Sequence, residues 1–144
     1  MSKQNSGETE TSVEKQFVVG EIYSWAEVNR LHRTRNGIYQ KHEKLISLLT
    51  DFGRINPCYP DSFAEQSSDT IFYTGNGRRG DQPLNPANRA LLAAIESKHA
   101  VPLFNKLRVG QWRFEGFWCV ATSEYVFDEQ IERMIWRFTL KREL

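Results

Sequence analysis

The sequence predicts an α+β domain built on a curved β-sheet or β-barrel with a few flanking helices. Segments rich in β-branched and aromatic residues recur along the chain and are separated by turn residues. One helical segment lies near the middle, and the last three strand-like segments follow it with no helix between them. A stack of alternating strands and helices would require helices there, so a barrel or curved sheet fits the order better.

The chain has the length of one domain, because 144 residues allow one hydrophobic core and are too few for two. Residues 1–16 are polar or small apart from Met1 and Val13, and we interpret them as a flexible lead-in to a single domain of residues 17–144. No segment resembles a secretory signal or the about 18–20 apolar residues of a membrane span. We therefore expect a soluble, cytoplasmic protein with no membrane partner. Cys58 and Cys119 are expected to be buried thiols, with a disulfide as the alternative.

The first half of the chain predicts two strands and a short helix. Residues 17–23, FVVGEIY, are apolar and β-branched and predict the first strand. Ser24, with Glu27 three residues later, forms a capping box, which predicts a helix from Trp25 to about His32. The segment LISLL, residues 45–49, then predicts a buried strand.

The second half begins with a long loop. Residues 51–69 contain two prolines, a glycine and several turn-forming residues, so we predict an irregular loop, which at this length is usually functional or disordered. Residues 70–74 predict a strand that enters a glycine-rich segment. Asn85 and Pro86 begin a helix that continues to about His99. Three strands follow, with the sequences AVPLFNKL, QWRFEGFWCVATSEYVF and IERMIWRFTL.

The segment YTGNGRRGDQ, residues 73–82, contains the G-x-G-x-x-G spacing of a dinucleotide-binding loop. That fingerprint requires a helix to begin inside the glycine run, so that the helix N-terminus faces the pyrophosphate. Here Pro83 and further loop residues precede the helix, which excludes this reading. The sequence also lacks the P-loop, zinc-hydrolase and nucleophile-elbow motifs. We therefore expect no cofactor, no metal and no catalytic residue.

The net charge of +1 does not indicate a polyanionic partner, but the basic residues are unevenly placed. They concentrate in the middle of the chain, at Arg30, Arg33, Arg35, Lys41, Lys44, Arg54, Arg78, Arg79 and Arg89. A nearly neutral protein can bind a polyanion through one basic face, because screening limits charges to a range of about 8–10 Å. Ordinary solvated charges explain the same pattern equally well.

Two co-linear motifs resemble the SRA (SET- and RING-associated, also called YDG) domain family. The segment YTGNG followed by GDQPLNPANRAL is similar to the family signature, and VGEIYSWAEVNRLHRTRNGI is similar to its opening segment. The likeness covers about residues 18–107 and is closest to the short prokaryotic members. It implies a PUA-like, crescent-shaped barrel that binds duplex DNA and flips a modified cytosine, 5-methyl- or 5-hydroxymethylcytosine, into a pocket. It also implies a role in modification-dependent restriction, with a nuclease domain or subunit as a further partner.

The resemblance implies roles for individual residues. Tyr73 would stack on the flipped base, Thr74 and Gly75 would contact its edge, and Tyr59 and Asp61 would supply a second aromatic and an acceptor for the cytosine amino group. Arg35 would fill the space that the base leaves. The other expected DNA contacts are Arg33, Asn36, Arg78, Arg79 and Arg89, and the expected loop-stabilising residues are Asp81, Gln82 and Asn88.

Several alternatives stay open at this point. Tyr73 also fits a core position in a sheet, and Arg89 fits an ordinary place on a helix surface equally well. For the whole chain, one alternative is a metal-dependent nuclease that uses the acidic loop residues Asp51, Asp61, Asp69 and Asp81. The other is a PUA-like module that binds RNA or another protein.

Overall fold

The structure is a computed structural model that describes residues 17–143, in which eight strands form one sheet and two helices pack against it. The expected lead-in, residues 1–16, lies outside the described residues. The strands are β1 (Ile22–Tyr23), β2 (Ile38–Lys41), β3 (Lys44–Thr50), β4 (Ser62–Ala64), β5 (Ser67–Thr74), β6 (Val101–Arg108), β7 (Gln111–Asp128) and β8 (Arg133–Arg142). The helices are α1 (Trp25–Asn29) and α2 (Pro86–Ser97).

The main path through the sheet is β2-β3-β6-β7-β8-β5-β4, and β1 pairs separately with β7. The pair β3 and β6 is parallel, and the other pairs are antiparallel. Within residues 17–143 the two ends of this path do not pair with each other. Of the two predicted forms, barrel or sheet, the observed one is therefore an open sheet.

The helix starts follow the sequence closely, whereas the helix ends do not. The Ser24 side chain accepts from the backbone N–H of Glu27 while the Glu27 side chain accepts from that of Ser24, so the predicted capping box is confirmed. This helix ends at Asn29, three residues before the predicted His32. Asn85 caps α2 with Pro86 in its first turn, also as predicted, and Lys98 ends it in a left-handed conformation with φ of 58°.

Three strand predictions need correction. Only Ile22–Tyr23 of the predicted strand 17–23 pairs in the sheet, because the preceding chain turns at Gly20, which has a φ of 92°. Strand β2 was not predicted, since IYQK is too short and too mixed to show a period of two. The predicted irregular loop 51–69 contains β4 and the start of β5. The final three strands are confirmed.

The core consists of two adjoining hydrophobic clusters. One packs β3, β5, β6, β7 and β8 beneath α2, around residues such as Leu91, Trp118 and Phe138. The other surrounds Phe104 and Phe114 beneath α1. Cys58 and Cys119 are free and half-buried. Among residues 17–143, no helix is long and apolar enough to cross a membrane.

Candidate nucleic-acid interface

A pocket of about 350 Å³ opens where β3 and β5 end and β2 begins. This volume lies in the range of small-ligand sites. Its wall is formed by strand residues, including Thr50 and Tyr73, and by the loop that follows β3, including Asn56. The pocket thus lies at the boundary of the two core clusters, which both supply lining residues.

All five residues expected to form a base pocket line this one cavity: Tyr59, Asp61, Tyr73, Thr74 and Gly75. Three of the expected DNA contacts, Arg35, Asn36 and Arg78, line it as well. Arg33 and Arg79 are exposed outside it. The structure therefore brings Arg35 and Asn36 together with the glycine-rich segment, although residues 51–69 lie between them in the sequence.

Asp61 is the acid of the pocket, with only 6% of its surface exposed. Its Oδ1 accepts a 2.6 Å hydrogen bond from the backbone N–H of Thr74, and its Oδ2 accepts one of 2.6 Å from the Thr50 hydroxyl. Burial raises the pKa of Asp61 to about 7, even though both threonines favour the ionised form. Each carboxylate oxygen keeps acceptor capacity after these bonds, because an oxygen has two lone pairs.

Tyr73 forms part of the pocket wall while its hydroxyl is bonded inside the protein. It is 3% exposed, and its hydroxyl donates to the backbone carbonyl of Leu49 at 2.8 Å and lies 3.2 Å from that of Gly37. Burial raises the pKa of the phenol well above its ordinary value, so Tyr73 is neutral. The residue therefore ties β5 to β3 and to the chain just before β2.

The glycine-rich segment is packed by amide side chains. Gln82 donates to the carbonyl of Gly75 at 2.7 Å, and its Oε1 accepts from the backbone N–H of Trp136 at 2.8 Å. Asn88 accepts from the backbone N–H of Asn76 at 2.7 Å and donates to the Asn76 carbonyl at 3.0 Å. Of these backbone groups, the N–H of Asn76 is the kind of donor that a phosphate-binding loop presents to its ligand, and here Asn88 occupies it.

The glycine-rich segment is also fixed by tight packing at Gly75 and by a bond between Asp81 and β8. A Cβ on Gly75 would lie 2.7 Å from the Asn88 side chain and 2.8 Å from Trp136, so the position has no room for a side chain. The carboxylate of Asp81 accepts from the backbone N–H of Met134 at 2.9 Å. The three residues expected to stabilise the loop thus all bond to backbone groups of the loop or of β8.

Arg133, which sequence reasoning missed, joins the two loops that flank the pocket. Its Nη1 donates to the carbonyls of Gly77 and Gly80, the second at 3.1 Å. Its Nη2 donates to the carbonyl of Cys58 at 2.7 Å. The side chain is buried. A single arginine in a strand gives no sequence signal for such a role, since its acceptors are backbone carbonyls far away in the chain.

His32 fixes the segment that carries Arg35 and Asn36. Its Nε2 lies 2.6 Å from the carbonyl of Asn36, and its Nδ1 lies 2.7 Å from the hydroxyl of Ser47. A carbonyl only accepts, so Nε2 carries the proton and Nδ1 accepts from the serine. Burial lowers the pKa of His32 to about 4, and the ring is neutral.

Two tryptophans and two cations border the pocket mouth, and we call Trp25, Trp112, Arg35 and Lys106 the tryptophan rim. The tryptophan rings lie 5.4 Å apart between centroids. The guanidinium carbon of Arg35 lies 4.5 Å from the Trp25 ring, and Nζ of Lys106 lies 5.5 Å from the Trp112 ring. No sequence motif assigned a site role to either tryptophan or to Lys106.

Arg89 and Asp51 are both engaged in contacts within the protein. Arg89 forms an ion pair of 3.1 Å with Glu43 and donates to the carbonyl of Leu84. The carboxylate of Asp51 accepts from the backbone N–H groups of Gly53 and Asn56, each at 2.8 Å, which shapes the loop after β3. Within residues 17–143, no three histidine, cysteine or acidic side chains are grouped so that they could hold a metal ion.

Comparison with known proteins was made on sequence and on structure. Residues 26–141 match the ScoMcrA-like SRA domain family. The SRA domain of SUVH5 in complex with hemi-methylated CG DNA superposes with a TM-score of 0.72 at 24% identity, covering 87% of both chains. The same domain bound to fully hydroxymethylated CG DNA gives 0.69 at 23%, covering 88% of this chain and 89% of that chain.

A third structure is the modification-dependent TagI restriction endonuclease, with a TM-score of 0.70 at 20% identity. The match covers 88% of this chain and 50% of that one, so this chain corresponds to about half of TagI. The comparison with curated protein sequences gives no match. These likenesses confirm the fold expected from the sequence, an SRA fold, with an open sheet in place of a closed barrel.

Proposed function

Since the chain belongs to the ScoMcrA-like SRA domain family, we propose that it is a reader of modified cytosine in duplex DNA that flips the base into the pocket and catalyses no reaction. The observation that supports this most is the meeting of a buried carboxyl, Asp61, and two tyrosines, Tyr59 and Tyr73, in one pocket of base-compatible size. A flipped base needs an aromatic wall and polar groups that match its Watson–Crick edge.

The chemistry of cytosine suits these groups. Its N4 amino group is a donor, and a carboxylate is a suitable acceptor for it. Asp61 takes this role in our proposal, while the backbone around Thr74 and Gly75 approaches the rest of the base edge. Extrusion of a base costs a few kcal/mol. Stacking on an aromatic ring contributes about 1–3 kcal/mol per base, and a hydrogen bond to a charged group about 1.5–3 kcal/mol, so the pocket can offset that cost.

The modification itself contributes less than the pocket. Burial of one methyl group is worth about 0.8 kcal/mol, which corresponds to about a fourfold change in affinity. A larger preference would require steric fit or easier extrusion of the modified base. We therefore propose that the pocket supplies affinity for cytosine in general and that the modification adds a smaller selective term.

The proposed DNA contacts follow the position of each cation. Arg35 and Asn36 lie at the pocket mouth, where Arg35 would enter the duplex and fill the space left by the base. Arg78 also lines the mouth, and the exposed Arg33 and Arg79 would contact phosphates. Arg89 does not line the pocket and is paired with Glu43 at the surface, which makes it the weakest of the proposed contacts.

A binding titration tests the proposal. Duplexes that carry cytosine, 5-methyl-, 5-hydroxymethyl- or glucosylated cytosine at one site are compared at one fixed salt concentration. We expect tighter binding to at least one modified duplex than to the unmodified one. Equal affinity for all four, or equal affinity for RNA, would contradict the proposal and favour a module that binds RNA or protein.

The role in the cell is also part of the proposal. Because the chain matches about half of a modification-dependent endonuclease, we propose that it serves modification-dependent defence with a nuclease domain or subunit as its partner. The chain itself is expected to bind without cutting. Incubation of methylated and unmethylated plasmid with Mg²⁺ or Mn²⁺ tests this, and modification-dependent cleavage by this chain would contradict the reader assignment.

A further inference from the structure

Two residues of the tryptophan rim, Lys106 and Trp112, are held in place by the register of two strands. Lys106 on β6 and Trp112 on β7 are directly opposite each other in an antiparallel ladder. Side chains in such a pair project from the same face of the sheet and contact each other. Trp112 is 7% exposed, and Lys106 is half-buried. The lysine therefore rests on a rigid aromatic support at the edge of the pocket.

Within the part of the chain that the structure describes, some cations are paired with carboxylates, and those at the pocket are not. Four arginines away from the pocket form ion pairs with carboxylates: Arg89, Arg113, Arg137 and Arg142. Among residues 17–143, no carboxylate lies within ion-pair distance of Arg35, Arg78 or Lys106. Arg35, Arg78 and Lys106 thus keep a charge that no carboxylate of residues 17–143 neutralises, as do other exposed cations such as Arg33 and Arg79.

A cation–π contact orients an ammonium group without neutralising it. The Nζ of Lys106 keeps its three N–H donors, and the ring of Trp112 restricts where the group can move. An oriented, unpaired ammonium at the edge of a pocket suits an anionic oxygen, because lysine acts on a phosphate as a point charge.

We infer that Lys106 is a phosphate-binding residue that contacts the DNA backbone beside the nucleotide entering the pocket, with Trp112, itself packed against Trp25, as its support. This inference rests on the proposed function for the identity of the ligand. A phosphate contact fixes the position of the strand and carries no information about the base. Lys106 therefore contributes affinity equally for modified and unmodified DNA.

The test is the salt dependence of binding by Lys106→Gln. Removal of one phosphate contact lowers the slope of log affinity against log salt by about 0.9. We expect that change, together with a roughly three- to tenfold loss of affinity at fixed moderate salt that is equal for cytosine and 5-methylcytosine duplexes. Lys106→Arg should retain the slope.

Lys44→Gln is the matched control. Lys44 is exposed at the far end of β3 from Thr50, about 20 Å along the strand, and does not line the pocket. It should leave both slope and affinity unchanged. Thermal unfolding of each variant is measured to check that the fold is intact.

The outcomes separate this inference from the proposed function. If the wild-type protein prefers modified DNA but Lys106→Gln keeps the wild-type slope, the inference is wrong and the reader assignment stands. A loss confined to modified duplexes also overturns the inference, since Lys106 would then act on the base. A wild-type protein without any preference, combined with a reduced slope in Lys106→Gln, supports the phosphate contact and removes the reader assignment.

Discussion

The carboxylate of Asp61 accepts a 2.6 Å hydrogen bond from the backbone N–H of Thr74. This bond joins the loop after β3 to the end of β5, the two segments that form the pocket. The acid is thus held in place before any ligand binds. A preorganised acceptor lowers the entropic cost of binding, because the group does not have to be ordered by the ligand.

Asp61 makes the stability of the protein depend on pH. Its pKa is raised by burial to about 7, against about 3.9 in an unfolded chain, so the folded state favours the protonated acid. The stability from this group is fully present below pH about 3.9 and is lost as pH rises through about 7. The Asp61→Asn protein has no such loss. From about pH 5 to 8, the free energy of unfolding of Asp61→Asn should therefore rise by roughly 1–4 kcal/mol relative to that of wild type.

The measurement for Asp61 is the melting temperature of both proteins across this pH range. Glu96→Gln provides the control, because Glu96 is exposed on α2 outside the pocket. Parallel pH curves for Asp61→Asn and wild type would show that Asp61 does not titrate in this range. Asp61→Asn should also bind modified DNA more weakly than wild type. The amide oxygen can still accept from the Thr74 N–H, but it is a poorer acceptor for an amino group than a carboxylate.

Tyr73 has two separable functions, which two variants distinguish. Tyr73→Phe keeps the ring and leaves the Leu49 carbonyl without its donor, so it should lower stability by about 1–3 kcal/mol and retain DNA affinity. Tyr73→Leu also removes the aromatic wall, and its affinity for modified duplexes should be about 1–3 kcal/mol weaker than that of Tyr73→Phe, which is about 5- to 150-fold. Calorimetry and binding titrations measure the two effects. Equal affinities for the two variants would exclude stacking on Tyr73.

Arg133 should act as a positioning residue for the loops beside the pocket. Arg133→Met leaves the carbonyls of Gly77, Gly80 and Cys58 without this donor, so we expect a loss of roughly 2–5 kcal/mol of stability. Amide hydrogen exchange in residues 76–82 should accelerate more than exchange in β6. A uniform change in both segments would indicate a global loss of stability and no specific effect on the loop.

His32 should contribute stability that is lost in acid. Burial lowers its pKa to about 4, against about 6.5 in an unfolded chain, so the folded state favours the neutral ring. This stability is present above pH about 6.5 and is lost as pH falls through about 4, with a total of about 3 kcal/mol. His32→Gln stays neutral and can still donate to the Asn36 carbonyl. Its unfolding free energy should show a flatter dependence between these pH values, and an unchanged slope would contradict the prediction.

Local signals in the sequence predicted much of the fold. The Ser24 capping box, the Asn85-Pro86 helix start and the three last strands depend on neighbouring residues and are confirmed. Strand β4 was missed because three residues carry too little pattern to be recognised within a long polar segment.

The candidate site was predictable only in part. The family resemblance identified motif residues that line the pocket, because each motif is a short continuous segment that can be recognised in the sequence. The contact of Lys106 with Trp112 depends on strand register, and that of His32 with Ser47 joins residues 15 positions apart. Arg133 bonds to backbone carbonyls, which every residue has, so no side-chain pattern reveals its partners. Such contacts follow from topology and are not visible in a single sequence.

The most direct test of base flipping is the fluorescence of 2-aminopurine placed beside the modified cytosine in a duplex. Its emission is quenched by stacking, so it rises when the neighbouring base leaves the helix. We predict an increase that saturates together with binding of the wild-type protein, and a smaller one for Tyr73→Leu at equal occupancy. Saturable binding to the modified duplex with unchanged fluorescence would contradict the account, because the base would then be recognised inside the double helix.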